Sequence, residues 1–181
     1  MKREEIARLL PEVFQRTVTP GSPLAALLAV MEALPAPAEA ALANLEDYFD
    51  PYQAPDAFAA YLAGWVDLDR LFSQTPARLD DETATTLFPP GLGRLRELIA
   101  AAAYLSRWRG TSRGLIGFLE TATGIPGFTI TESPPGEDGQ PRPFHILVEA
   151  PRETAVYQPL LERIIQAEKP VYVTYELVFK T

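Results

Sequence analysis

The stretch Arg107-Trp108-Arg109-Gly110-Thr111-Ser112-Arg113-Gly114 decides how the first two thirds of this chain fold, because it reads as a helix end, a turn and a new helix start. Upstream of it, Leu92, Leu95, Leu98, Ile99, Ala102, Leu105 and Trp108 recur three and four apart, so one helical face is apolar and ends on a large aromatic. Gly110 suits the left-handed residue that closes a helix, and Thr111 is a good N-cap for a second helix, Ser112–Thr123, which stops at Gly124. The spacing predicts a tight corner, with Arg107 and Arg109 flanking Trp108 on its wetter sides.

Working outward, the region before the corner is helical by pattern. Ser22-Pro23 is an N-cap followed by proline at the first helical position, and Leu24, Leu27, Leu28, Met31 and Leu34 mark a stripe that Pro35 and Pro37 break. A second helix over 38–49 places Ala38, Leu42, Leu45 and Phe49 on one side, ends at Asp50-Pro51, and is followed by a third over 55–66. Between 67 and 90 the pattern loosens into short turns and loop around Leu71-Phe72, Asp80-Asp81-Glu82 and Leu87-Phe88.

After Gly124 the period changes to two. Phe128, Ile130 and Glu132 alternate with threonines, and the Pro-, Gly- and acid-rich 133–142 reads as a loop. A second strand over 143–149, a helix over 154–167 burying Val156, Leu160, Leu161, Ile164 and Ile165, and a strand over 171–179 complete a β-β-α-β unit. The fold class is therefore α+β: a helical region, 1–124, and a small C-terminal unit, 125–181. The terminal strand is apolar on both faces, which fits either the central strand of the sheet, the reading taken, or an edge open to strand addition.

With 181 residues, 47% hydrophobic and 22% charged, the chain has the balance of a globular protein. A net charge of -8, from 24 acidic and 16 basic residues, argues against a nucleic-acid backbone as partner. The absence of cysteine excludes disulfides and thiolate metal sites. The start Met1-Lys2-Arg3-Glu4-Glu5, followed by a short apolar stretch with Arg8 and Pro11, is not expected to be a signal peptide. No apolar run is read as reaching the roughly 20 residues of a membrane span, so synthesis in the cytoplasm without membrane insertion is expected.

Catalytic signals are weak. The single histidine, His145, lies in a strand between Phe144 and Ile146 with no nucleophile elbow or zinc-binding helix motif, and one histidine without cysteine makes a transition-metal site chemically awkward. Asp67-x-Asp69 and Asp80-Asp81-Glu82 lack the spacing of a calcium loop and read as solvated acid runs. Gly91-x-Gly93 follows no strand and is read as a helix-start turn. The expectation is a protein that is not an enzyme and uses no metal or cofactor.

Arginine and tryptophan are frequent interface anchors, so Arg107, Trp108, Arg109, Gly110, Thr111 and Arg113, with Tyr172 and Tyr175 of the terminal strand, are the candidate interface or corner-forming residues. Against that reading, Trp108 is expected to pack in the helical core. The arginines either anchor a partner or cap helix carbonyls and pair with Glu97, Glu120 or other acids.

Five ordered segments carry a resemblance: Leu10-Pro11-Glu12-Val13-Phe14-Gln15, Tyr48-Phe49-Asp50-Pro51, Tyr61-Leu62-Ala63-Gly64-Trp65-Val66-Asp67-Leu68, Tyr104-Leu105-Ser106-Arg107-Trp108-Arg109-Gly110-Thr111, and Glu168-Lys169-Pro170-Val171-Tyr172-Val173-Thr174-Tyr175. In this order they resemble the phage tail protein I family, with the part from Pro76 to Pro90 less typical. The resemblance implies a structural baseplate wedge subunit of a contractile tail or phage-tail-like injection system. Its expected partners are other baseplate proteins, above all a larger wedge protein, together with hub, spike and sheath-proximal subunits. Arg109 is expected to hold the corner geometry on which assembly depends. Rival readings are a tail assembly chaperone and a tail-associated peptidoglycan hydrolase.

Overall fold

The structure, a computed structural model, describes residues 2–72, 88–136 and 139–180. Asp80-Asp81-Glu82 and Leu87 lie outside the described residues. The chain divides into two compact units, Met1–Tyr48 and Phe49–Thr181.

The first unit is a series of short helices: α1 (Arg3–Arg8), α2 (Glu12–Gln15), α3 (Pro23–Ala33), α4 (Ala36–Ala43) and the start of α5 (Leu45–Phe49). Ser22 caps α3 as its sequence predicts, its Oγ accepting the Ala25 N–H at 3.2 Å, with Pro23 at the first helical position. The helix foreseen over 38–49 is instead two. Pro37, in the first turn of α4, starts that helix rather than delaying it, and Asn44, at φ -118° and ψ 31°, breaks it while its amide donates to Ala40 O at 3.1 Å. The expectation that no apolar stretch reaches spanning length is corrected here: Pro23–Ala43 is long and apolar enough, by length and composition alone, to cross a membrane. The stretch is two helices, α3 and α4, that meet at Leu34-Pro35 and carry Glu32 and Glu39, so its apolar side chains do not form one uninterrupted run in the sequence.

In the second unit, α6 (Asp56–Trp65), α7 (Leu92–Arg107) and α8 (Ser112–Thr123) contribute Leu62, Leu95, Leu98, Leu105, Phe118 and Leu119 to a buried core. A 3₁₀ turn, Asp69–Leu71, follows α6 and buries Leu71. Gly91, at φ 92°, is the N-cap of α7, so the Gly91-x-Gly93 signal is a helix-start turn. The core continues without interruption beneath the sheet, through Phe128, Val148 and Ala150 to Leu160, Leu161, Ile164 and Ile165.

The sheet holds β1 (Thr129–Glu132), β2 (His145–Ala150) and β3 (Thr174–Phe179) in the order β1-β2-β3. β1 runs antiparallel to β2, and β3 runs parallel to it, from His145 opposite Thr174 to Ala150 opposite Phe179. Between β2 and β3 the chain passes through a 3₁₀ turn, Arg152–Tyr157, and α9 (Gln158–Glu168), the crossover that a parallel pair requires. This is the expected α+β architecture with a β-β-α-β end.

Three expectations are revised. The central strand is β2, and β3 is an edge, because the crossover through α9 lays β3 beside β2 and nothing follows on its other side among the described residues. Strand β3 begins at Thr174, since a turn closed by Val173 N–H to Pro170 O at 3.0 Å holds Val171 and Tyr172 in solvent. Val156 is 74% exposed, because residues 152–157 turn with a period of three and point it away from the face that α9 buries.

Candidate functional site

The corner foreseen from sequence is built by short-range bonds. Helix α7 ends at Arg107, and Gly110 turns the chain with φ 77°. Thr111 then acts in both directions, its Oγ1 donating to Trp108 O at 2.6 Å and accepting the Gly114 N–H at 3.1 Å. Its own N–H donates to Trp108 O at 3.2 Å. Gly114 matters for a different reason: a Cβ there would lie 2.0 Å from Trp108 O and 2.6 Å from its carbonyl carbon. Only glycine lets the first turn of α8 press against the end of α7.

Trp108 is half-buried rather than a core residue, and the Arg113 guanidinium lies 4.3 Å from its ring centroid. Arg113 also donates to the Tyr104 hydroxyl at 3.1 Å, while Arg107 is exposed on the last turn of α7. Arg109 reaches across to the end of α9, donating to Ala167 O at 3.2 Å and lying 3.6 Å from Glu168 and 3.7 Å from Asp67. A cation there satisfies a terminal helix carbonyl and meets the negative end of the helix dipole.

Glu168 is the hinge of this arrangement and escaped the sequence reading. It is 6% exposed, and two arginines from distant parts of the chain, Arg70 and Arg109, converge on its two oxygens. Arg70 is also 3.1 Å from Asp67, whose backbone takes φ 60°. Arg96 of α7 does comparable work on the Asp50-Pro51 element, donating to Pro51 O, to Ala54 O at 2.7 Å and to Asp56 at 2.7 Å. The available sequence signal was indirect: Asp50-Pro51, Asp67 and Glu168 all fall inside the segments that carry the family resemblance. Glu97 and Glu120, offered as partners for the corner arginines, are used elsewhere, by Tyr52 and by the Gly127 N–H.

Beside the corner lies a cleft of about 350 Å³, walled by Gly110, Thr111 and Ser112 on one side and by Ile130, His145 and Tyr172 on others. Ser112 Oγ donates to Glu132 across it. At its rim Phe144 takes φ 56° and stands edge-on to Tyr172 with centroids 5.5 Å apart, both rings being more than half exposed. His145 Nδ1 is 2.7 Å from Thr174 Oγ1 and its Nε2 is 3.9 Å from Glu176. Tyr175 faces the other side of β3, where burial first and the nearby negative charge of Glu162 second push its phenol above the ordinary 10.0. Among the described residues, no three His, Asp or Glu side chains converge to hold a metal ion.

The devices of the corner, the buried Glu168 and the anchored Asp50-Pro51 element all lie inside a stretch that one family describes: a family model for phage tail protein (Tail_P2_I) matches residues 22–172. The chain belongs to the phage tail protein I family. No curated protein matches it. Membership in the phage tail protein I family gives the chain a structural role in a phage tail, in the company of other tail proteins. Within this family member, the corner residues are brought together around α7, α8 and the end of α9, while Tyr172 and Tyr175 are separated by the start of β3 and face different surroundings.

Proposed function

We propose that this tail protein is a baseplate wedge subunit of a contractile tail or phage-tail-like injection system. It is made in the cytoplasm, assembles into the baseplate, binds a larger wedge protein and links hub and spike to sheath-proximal subunits. It has no active site, and its work is geometric, holding neighbours in one arrangement before firing and another after it. The observation that carries this reading is the exposed apolar stripe of the first unit. Leu27, Val30, Met31 and Leu34 recur at helical spacing and are 55%, 54%, 44% and 75% exposed, with Leu42 and Leu45 exposed beyond them. Contiguous apolar surface of this kind marks a protein or membrane contact.

Charge favours a protein partner over a lipid one. Between Arg16 and Arg70 the sequence has no lysine or arginine, while Glu32, Glu39, Glu46 and Asp47 lie along these helices. A surface without cations gains nothing from anionic headgroups. It fits an amphipathic partner helix whose apolar face is bordered by basic residues, packed as helices pack in bundles.

Co-expression with the larger wedge protein, followed by size-exclusion chromatography with light scattering, tests the reading. A stable hetero-oligomer is expected. It should be lost on Leu34→Glu with Leu42→Glu while the isolated variant stays folded by circular dichroism. A monodisperse monomer that ignores the partner sinks the proposal and brings forward the assembly chaperone, which mass spectrometry of purified particles would fail to find.

A further inference from the structure

The edge of β3 is a second surface built to be covered. In the parallel pair, Thr174 N–H donates to Phe144 O and Lys180 N–H to Ala150 O, both at 2.8 Å, so the alternate residues of the strand face β2 with their backbone groups. The N–H and C=O groups of Tyr175, Leu177 and Phe179 therefore point away from β2, on the side where no strand pairs with β3 among the described residues.

Folded proteins guard such edges with proline, bulges, brevity or charges placed on the strand. β3 has six residues, no proline, and a one-to-one register with β2 that leaves no room for a bulge. The charges near it are occupied elsewhere: Lys180 Nζ donates to Gly127 O at 2.7 Å, on the far side of the sheet, and Glu176 is held by Arg142 at 3.3 Å. β1, the opposite edge, is shorter, and its Glu132 accepts from Ser112. Along β3 the two faces differ in chemistry, with Tyr175, Leu177 and Phe179 half-buried on one and Thr174, Glu176 and Val178 exposed on the other. Val171, 97% exposed, continues the path before the strand begins.

We infer that the free edge of β3 accepts an extended segment of the wedge partner as a fourth strand, a step that rests on the wedge reading above. The segment it fits is apolar at alternate positions, to lie beside Tyr175, Leu177 and Phe179. At the positions between, it is polar, to lie beside the exposed Thr174 and the Glu176–Arg142 pair. A second copy of this chain is the poorer occupant, since it brings a net charge of -8 against another -8.

Amide hydrogen exchange, read residue by residue by NMR, tests it. In the isolated full-length chain the amides of Tyr175, Leu177 and Phe179 should exchange freely while those of Thr174, Glu176, Val178 and Lys180 are protected. In the complex co-purified with the larger wedge protein, the first three should slow by about 100-fold or more, as amides of a paired strand do. If that complex forms and they still exchange freely, strand addition is wrong and the wedge reading stands. If no complex forms, the wedge reading fails and this inference with it. Protection already present in the isolated monomer means the chain covers its own edge, and protection that grows with concentration alongside a dimer mass means a second copy does. Either outcome overturns the proposal.

Discussion

The two units treat apolar side chains in opposite ways. In Phe49–Thr181 the core runs from Leu62 through Leu98 and Leu119 to Leu161 and Ile164, most of them wholly buried. In Met1–Tyr48 the buried hydrophobic residues among those described are Ile6 and Leu28, while Leu9, Val13, Phe14, Leu27, Val30 and Leu34 are exposed. Both regions are rich in leucine and alanine, so composition does not separate them. What separates them is where the apolar stripe points. A core residue stabilises its own chain by about 1.5–3 kcal/mol when buried, whereas the same residue left in water contributes that energy only when a partner covers it. The second unit buries most of its apolar side chains within itself, and the first leaves most of its own in solvent, where the proposed function has a partner cover them.

The strongest way to break this comparison is at the corner. Gly114→Ala places a methyl 2.0 Å from Trp108 O, a contact with backbone that no rotamer change relieves. The turn between α7 and α8 must then reopen, and we expect a loss of about 3 kcal/mol or more in urea denaturation, as overpacking against fixed atoms produces. Unchanged stability would mean that the corner tolerates a looser packing and that the second unit does not depend on it.

Next in size is the buried carboxylate. Arg70→Ala removes one of the two guanidinium groups on Glu168 and leaves that side chain, 6% exposed, with Arg109 at 3.6 Å. Removing a partner from a buried pair costs about 3–5 kcal/mol. Arg70 keeps about a quarter of its side chain in water and Arg109 remains, so we expect about 2 kcal/mol here. Thermal denaturation of Arg70→Ala beside Arg70→Lys separates charge from geometry: lysine should recover part of the loss, because it restores charge without the forked contact to Glu168 and Asp67.

How much of this was legible in sequence follows from the range of each interaction. The Thr111 cap, the Gly110 turn and the end of α8 at Gly124 rest on bonds spanning a few residues, and the sequence displays them directly. The strand order does not, because β3 pairs with β2 only through a crossover that the alternation of Val173, Tyr175 and Leu177 cannot reveal. The Arg70–Glu168 pair joins positions 98 apart, and neither residue sits in a pattern that marks it as buried. Trp108 completes an apolar stripe, which points to the core, yet it stands at the helix end where the chain turns, and Arg113 covers it instead. Periodicity says that a stripe exists. It does not say whether the surface it meets belongs to the same chain.

The smallest expected effect tests that last point. Leu34→Ser removes an exposed side chain at the C-terminal end of α3, 75% of which is in contact with solvent. Leu34 is the C-cap of α3, but its cap bond is its backbone N–H to Val30 O, which serine keeps, so the change should cost less than about 0.5 kcal/mol and urea denaturation of the isolated variant should overlay the parent. Leu161→Ala, at a wholly buried position of α9, serves as the contrast in the same experiment, since truncating a core leucine costs about 2–5 kcal/mol. A loss above about 1 kcal/mol for Leu34→Ser would place Leu34 inside a packed surface of the free chain. The stripe would then serve folding rather than association. A null effect leaves Leu34 with no task in the isolated protein, as the proposed contact with a wedge partner requires.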